Sequence, residues 1–283
     1  MASVHVVTDS GSDLPKEVQK TYGISVVPLS IQFGDDIYKD GVELEVERFY
    51  EMLTTGSVLP STCQPSPADF VDMYERIAEP GDSIISVHLS SQLSGTYQSA
   101  VLASSMVEGI DITVVDTKSA SMGIGLVAVA AAEALQNGAS KEEAVAAAEK
   151  TAEELGVYFV VDTLEYLQKN GRIGRAQALM GTLLNIKPIL TLDDGVVTPF
   201  DKVRGRAKAL NKIKTTVEQY KEQYQGRRLR LALTHSNCEA EARKLASALQ
   251  EMGDVEEPIV SFIGPTIGVH VGPGTVALLF HPM

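Results

Sequence analysis

Apolar runs alternate with helical patterns along the first half of the chain. Five short β-branched segments predict buried strands of a parallel sheet, at residues 4–8, 25–31, 83–88, 112–116 and 158–162. Between them, helical segments follow capping residues, such as Ser66 before Pro67 and Ser140 before Lys141. This alternation predicts an α/β/α domain with a mostly parallel sheet, in which ligands bind at the carboxyl ends of the strands.

The second half of the chain has a different pattern. Helices are predicted at residues 164–169, 174–184, 202–225 and 239–252, and strands at residues 187–192, 196–199, 230–234 and 257–262. The first two of these strands form a hairpin around Asp193-Asp194-Gly195, and a glycine-rich turn precedes a last strand. Hairpin strands together with helices predict an α+β domain with a mixed sheet. We therefore expect an α/β protein of two domains, residues 1–156 and 157–283.

Composition and charge narrow the range of functions. Thirty-seven acidic against 24 basic residues give a formal net charge of −13, which disfavours binding to nucleic acid or to anionic membranes. The longest weakly polar stretch, residues 122–132, is too short to span a bilayer. Cys63 and Cys238 form neither a disulfide framework nor a metal-ligand spacing, and the histidines are scattered. We expect a cytoplasmic protein without a metal or a cofactor.

Two segments offer hydroxyl groups beside predicted helix starts. In STCQPSPADF, Thr62 lies in a proline-stiffened loop and could donate to an anion, although an ordinary capping loop would have the same pattern. In VHLSSQLSGTYQSA, Ser94 and Gly95 stand at the head of a helix, whose unpaired N–H groups could hold a carboxylate or phosphate. The alternative is that Ser94 only caps the helix.

Two further segments carry candidate basic side chains. His270 lies on a predicted strand before the turn Gly272-Pro273-Gly274, where it could be a core residue or donate to an anion across the domain cleft. QKNGRIGR carries Arg172 and Arg175, which we expect to be exposed, either in a solvated loop or in contact with an anionic partner.

The sequence does not match several known motifs for nucleotide binding or nucleophilic catalysis. Gly123-Ile124-Gly125 comes too late after its strand for a dinucleotide fingerprint, and there is no Walker A loop. Ser94 lacks the glycines of a nucleophile elbow.

In six segments that occur in the family's order, the chain resembles the DegV family of fatty-acid-binding proteins. These segments are TDSGSDLP, PLSIQF, STCQPS, LSSQLSGTYQSA, QKNGRIGR and GVHVGPG. The resemblance implies two α/β domains with one long-chain fatty acid, such as palmitate, buried between them. It also implies that Thr62 and Ser94 hold the carboxylate, that Gly95 adds a backbone N–H, and that His270 lies near the head group.

The resemblance further implies a partner. In several bacteria such proteins present the fatty acid to a separate ATP-dependent fatty acid kinase, which forms an acyl phosphate. Arg172 and Arg175 are then candidates for contacting that kinase.

The physical chemistry of the residues agrees with fatty acid binding. Oriented hydroxyl groups suit a carboxylate. Burial of about fifteen methylenes at roughly 0.8 kcal/mol each would contribute on the order of 12 kcal/mol to the binding free energy before ordering costs.

Two other functions remain open at this point. A serine hydrolase or acyltransferase would use Ser94 as nucleophile and His270 as base, which requires the two side chains within hydrogen-bond reach. A small-molecule kinase is the third possibility, because dihydroxyacetone kinases have a related fold, and the missing nucleotide loop argues against it.

Overall fold

The computed structural model describes residues 3–181, 186–224 and 227–283, whose strands form three sheets. The first sheet is parallel and comprises β1 (Val4–Asp9), β2 (Ile24–Val27), β6 (Ser83–His88) and β7 (Asp111–Asp116), in the order β2-β1-β6-β7. A small antiparallel sheet comprises β3 (Ser30–Phe33), β4 (Asp36–Lys39) and β5 (Ser61–Cys63), in the order β4-β3-β5.

The third sheet is the largest of the three. Its six strands are β8 (Gly156–Val160), β9 (Ile186–Asp193), β10 (Val196–Arg204), β11 (Leu229–His235), β12 (Ile259–Phe262) and β13 (Val276–Pro282). Their order is β10-β9-β8-β13-β11-β12, and only the β11–β12 pair is parallel.

Helices cover these sheets. They are α1 (Lys16–Tyr22), α2 (Val46–Thr55), α3 (Pro67–Ile77), α4 (Thr96–Ser104), α5 (Met122–Gln136), α6 (Lys141–Glu153), α7 (Glu165–Lys169), α8 (Arg206–Gln223), α9 (Glu239–Gln250) and α10 (Pro265–Val271). Short 3-10 helices lie at Ser10–Ser12 and Gly174–Leu179. The predicted fold class, α/β with a parallel sheet and a mixed sheet, is confirmed. Within the described residues, no helix is both long and apolar enough to cross a membrane.

Helix α5 joins the two large sheets. Nearly all of its residues from Met122 to Ala132 are buried, as expected for a helix that is apolar on every side. It packs against β1 of the parallel sheet and against β11 and β13 of the six-stranded sheet. One hydrophobic core therefore contains residues from both halves of the chain.

The six-stranded sheet is apolar on both faces. Side chains alternate between the faces along each strand, so that Val157 and Phe159 of β8 belong to the core around α5. Val160 and Phe280 point the other way and pack in a second core with α8 and α9. The face towards α5 is the one that forms the candidate site.

The structure corrects two predicted strands. The strand predicted at residues 25–31 is divided between β2 and β3, which lie in different sheets, because Pro28 has no N–H to continue a ladder. The strand predicted at residues 158–162 is not parallel, since β8 pairs antiparallel with β9 and β13. Short apolar runs do not reveal strand direction.

Helical predictions needed correction as well. The helix predicted at residues 202–225 begins only at Arg206, because β10 continues to Arg204 and Gly205 has a φ of 90°; residue 225 lies outside the described residues. The segment predicted as helical at 174–184 is a 3-10 helix that ends at Leu179, and residues 182–184 lie outside the described part of the chain. Helix α2 and strands β4 and β5 are not predicted by the sequence pattern; β5 carries Thr62, for which a loop is expected.

A substitution at Gly156 tests how tightly β8 and β13 pack. A Cβ at this position would lie 2.5 Å from Cζ of Phe280, whose ring also packs on Tyr220. We expect Gly156→Ala to lower the free energy of unfolding by about 1–3 kcal/mol, because the ring must move. Urea unfolding measures this, with Phe280→Leu as the second arm of a double-mutant cycle. Equal costs of Gly156→Ala in both backgrounds would contradict the overpacking explanation.

Candidate functional site

A cavity lies between the six-stranded sheet, α10 and the loop that follows β6. The space between its walls, counted to the open mouth, is about 780 Å³, of which about 80 Å³ can hold the centre of a water molecule. The volume open to the centre of a water molecule is well below the roughly 300–1,000 Å³ of typical ligand pockets. The small inner volume means that the cavity is a narrow slot rather than a wide bowl.

Most of the side chains that line this slot are apolar. On the sheet they come from the face towards α5: Val157, Phe159, Leu192, Val197, Ala277 and Leu279. Leu89 and Leu93 of the loop after β6, together with Ile267 and Val271 of α10, form the opposite wall. A slot with these walls suits a long, thin apolar ligand.

Thr62 and His270 meet at one end of the slot. Thr62 lies on β5, and its Oγ1 is 3.1 Å from Nε2 of His270. The structure places His270 on helix α10 and not on the predicted strand. Pro265 at the first helical position and Gly272 after the last are ordinary helix-boundary residues, which the sequence interpretation assigned to a strand and turn.

The His270 ring is neutral. Burial, together with the nearby positive charge of Arg172, lowers the pKa of His270 to about 3. Its Nδ1 has no hydrogen-bond partner among the described residues. A neutral imidazole carries one N–H. In the Nε2–H tautomer the ring donates to Thr62 and the Thr62 hydroxyl proton is available to a ligand, whereas in the Nδ1–H tautomer Nε2 accepts that proton.

Ser94 also lines the slot, from the residues just before α4. Its Oγ accepts from the N–H of Thr96 at 3.3 Å and lies 2.9 Å from the Thr96 hydroxyl oxygen. When the Thr96 hydroxyl donates to Ser94, the Ser94 proton is free to point into the slot. The structure thus brings Thr62, Ser94 and His270 together around one cavity.

Gly95 connects the two hydroxyl-bearing segments. A Cβ on this residue would lie 2.2 Å from Oε1 of Gln64, which follows closely after Thr62. The side chain of Gln64 therefore lies directly against the Gly95 backbone, and its amide donates to Ser99 of α4. Gly95 is not among the residues that line the slot, and its role as a backbone donor to a ligand stays a prediction.

Arg172 is half-buried and lines the slot, which corrects the expectation that it is exposed. Its Nε donates to the carbonyl of Leu93 at 3.1 Å and its Nη1 to the carbonyl of Asn170 at 2.8 Å. Asn170 in turn donates to the carbonyl of Val269 beside His270. The guanidinium thus places a positive charge at the polar end of the slot. Arg175 is exposed, as expected, and pairs with Asp193.

Two buried carboxyl groups lie behind another part of the wall. Asp13 accepts from Ser121 and from the N–H of Gly264, and Asp40 accepts from the N–H and hydroxyl of Thr266. Burial raises the pKa of Asp40 to about 6 and that of Asp13 well above its usual value, although these hydrogen bonds partly oppose the change. Both carboxyl groups hold the N-terminal end of α10, so they position the helix that carries His270 in its last turn. No local sequence pattern indicates this role, since the partners are more than 100 residues away.

The Ser94–His270 arrangement that a hydrolase would need is not formed. Ser94 Oγ interacts with Thr96, and His270 interacts with Thr62 rather than with Ser94. Asp9, His88 and Ser86 do form a hydrogen-bonded series, but all three are fully buried and the series ends on Tyr74. This series fixes the end of β6. In the part of the chain that the structure describes, no three His, Cys, Asp or Glu side chains are grouped to hold a metal ion.

Comparisons with known proteins identify similar chains. A family model described as an uncharacterised protein of the DegV family matches residues 3–283. Protein DegV of Bacillus subtilis is 37% identical over 277 residues, which are 98% of each chain. A structure described as fatty acid binding of a DegV family protein from Thermus thermophilus has 39% identity and a TM-score of 0.93, over 99% of this chain and 100% of that one. A stearic acid-binding protein from Eubacterium ventriosum has 26% identity and a TM-score of 0.90, over 100% of this chain and 98% of that one.

The raised pKa of Asp40 gives a pH-dependent prediction. The folded-state pKa of about 6 exceeds the reference value of 3.8, so the stabilising contribution of the protonated group is lost as the pH rises through 6. Asp40→Asn keeps an oxygen for Thr266 and does not ionise. Relative to the parent, this variant should gain about 1–2 kcal/mol in free energy of unfolding between pH 5 and pH 8, measured by urea unfolding. Parallel pH profiles of the two proteins would contradict the assignment.

Proposed function

The chain belongs to the DegV family, and from this premise we propose that it binds one long-chain fatty acid, with the tail in the slot and the carboxylate at Thr62 and Ser94. Fatty acid binding by similar structures supports the proposal. The observation that carries it is the contact between Thr62 and neutral His270 at the polar end of an otherwise apolar slot. The ligand would lie between two domains, residues 1–156 and 157–283.

The head group would be held by uncharged donors. With His270 in the Nε2–H tautomer, the ring donates to Thr62, Thr62 donates to one carboxylate oxygen, and Ser94 donates to the carboxylate as well. The N–H of Gly95 is the third candidate donor. Hydrogen bonds to a charged group contribute about 1.5–3 kcal/mol each, which fixes the position of the head group without a buried ion pair.

Charges on the walls would set the direction of the ligand. Arg172 lies beside His270 and attracts a carboxylate, whereas Asp40 lies behind Thr266 and is largely ionised above pH 6. A carboxylate at the Thr266 side would be repelled, so the tail occupies that side. Each buried methylene contributes about 0.8 kcal/mol, and affinity would come mainly from the tail.

We assign no catalytic step to this chain. The family resemblance suggests that a separate ATP-dependent fatty acid kinase phosphorylates the bound carboxylate. The exposed Arg175 is a candidate contact for that kinase, and Arg172 could reach it only through the mouth of the slot.

Identification of the bound molecule tests the proposal directly. Denaturing mass spectrometry of protein purified from cells should release a C14–C18 fatty acid in near-stoichiometric amount. Protein that is empty and also takes up neither palmitate nor oleate would refute fatty acid binding. Labelling of Ser94 by a fluorophosphonate would favour the hydrolase alternative, and binding of ATP in calorimetry would favour the small-molecule kinase.

Removing the hydroxyl donors should weaken binding more than folding. Thr62→Ala and Ser94→Ala should each raise the Kd for palmitate by about 10-fold to 100-fold, because each removes one hydrogen bond to a charged group. Ser104→Ala is the matched control, since Ser104 is on α4 and its hydroxyl donates within the helix. Displacement of a fluorescent fatty acid gives the affinities, and thermal unfolding of the ligand-free proteins controls for stability. If Thr62→Ala or Ser94→Ala raised the Kd no more than Ser104→Ala does, that residue would not belong to the head-group site.

The two arginines of QKNGRIGR provide a second matched pair. Arg172→Met should raise the Kd for palmitate several-fold and reduce the preference for the ionised acid over its methyl ester. Arg175→Met should leave both quantities unchanged, because Arg175 is exposed and pairs with Asp193. Equilibrium binding at fixed ionic strength measures the difference. Identical behaviour of the two variants would mean that Arg172 does not act on the head group.

A further inference from the structure

We propose that the tip of the β9–β10 hairpin, residues 193–195, is a gate through which the fatty acid passes into and out of the slot. This inference rests on the proposed function and concerns how the site is reached. A tail in the slot is enclosed by buried side chains, so part of the wall must move before the ligand can exchange. The walls differ greatly in how firmly they are held.

The hairpin forms one side of the mouth. Leu192 and Val197, on either side of the tip, line the slot, as does Leu93 of the loop after β6. Leu93, Ser94, Arg172 and Leu192 are all partly exposed, which places the mouth between this loop and the hairpin. An outward movement of the tip would therefore widen the mouth directly.

The outer part of the hairpin extends beyond its neighbouring strand. Strand β8 pairs with β9 only from Ile189 to Thr191, and the Thr191 hydroxyl donates to the carbonyl of Val157 at the end of this pairing. In β10 the register shifts between Pro199 and Asp201, which marks a bulge at Phe200. A bulge bends a strand and interrupts its ladder. The segment between these two points can move as a unit with the bulge as its hinge.

Few contacts join the tip to the loops across the mouth. The Ser90 hydroxyl donates to the carbonyl of Gly195 at 3.1 Å, and Lys118 Nζ lies 3.9 Å from Asp194 Oδ1. The Lys118 and Asp194 side chains are 42% and 78% exposed, and ion pairs with such exposure contribute little. The 3-10 helix that begins at Gly174 also contacts the hairpin, through Val197 and through the exposed ion pair of Arg175 with Asp193.

The other walls are held by buried contacts. The start of α10 is tied to Asp13 and Asp40, and the carbonyl of Ile263 accepts from the buried Tyr50 hydroxyl at 2.9 Å. Helix α5 is enclosed between two sheets. Opening through α10 or α5 would expose many buried polar and apolar groups. Opening at the tip breaks the buried hydrogen bond between Ser90 and Gly195 and the exposed ion pairs of Asp193 and Asp194.

A reversible disulfide across the mouth tests the gate. A Cβ at residue 195 would lie 3.3 Å from Cβ of Ser90, slightly below the roughly 3.5–4.5 Å found in disulfides, and the φ of 76° at Gly195 strains a cysteine there. The variant Ser90→Cys with Gly195→Cys is made with Cys63→Ser and Cys238→Ser. It is loaded with a fluorescent fatty acid while reduced, and release into excess palmitate is timed before and after oxidation. We expect release to slow at least 10-fold on oxidation and to recover on reduction.

A second set of variants keeps the test decisive if the cysteine pair does not fold or does not oxidise. Ser90→Ala and Lys118→Ala each remove one contact to the tip and should speed release several-fold with little change in Kd. Lys169→Ala, which removes an exposed pair with Glu165 elsewhere, should not change the rate. Equal release rates in the oxidised and reduced cysteine protein, or in the alanine variants and the parent, would overturn the gate. If the parent itself retains no fatty acid, the proposed function fails instead.

Discussion

A sheet that is apolar on both faces must be covered on both, and this constraint determines the architecture of the protein. Helices α8 and α9 cover one face of the six-stranded sheet and pack closely against Val160 and Phe280. The other face is shared between α5, α10 and the loop after β6, which come from distant parts of the chain. These elements do not fill the face completely. The slot is the part of the core that the protein's own side chains leave open.

The polar end of the slot depends on a small number of hydrogen bonds between segments that are far apart in sequence. Thr62 and His270 are separated by 208 residues, and Asp13 and Gly264 by 251. The buried carboxyl groups fix the start of α10, and α10 in turn presents a neutral imidazole to Thr62. The charged side chains near this arrangement, Arg172 and Asp40, lie at its edges. The slot itself remains suited to a hydrocarbon chain.

Local patterns in the sequence predicted the elements better than their pairing. Parallel strands β1, β6 and β7 were found because their residues are β-branched and buried, and Ser66 and Ser140 do form capping boxes. The division of residues 25–31 between two sheets was missed, since Pro28 breaks a ladder only in the context of its neighbours. The antiparallel position of β8 was missed as well, because strand direction depends on long-range packing.

The same distinction applies to the site. Thr62, Ser94 and His270 were singled out from hydroxyls and a histidine beside glycines and helix starts, and the structure brings them to one cavity. Arg172 is expected at the surface from the sequence, but it is half-buried. Its hydrogen bonds to main-chain carbonyls depend on the fold and cannot be predicted from the residues beside it. Asp40 gave no signal, since nothing near it in sequence shows that it will be buried against Thr266.

The packing of Gln64 on Gly95 has an evolutionary consequence. Any side chain at position 95 would occupy the space of the Gln64 amide, so a larger residue there requires that amide to move aside or a shorter residue at position 64. Mutations at these two positions are therefore epistatic, and each constrains which residues the other can explore during divergence.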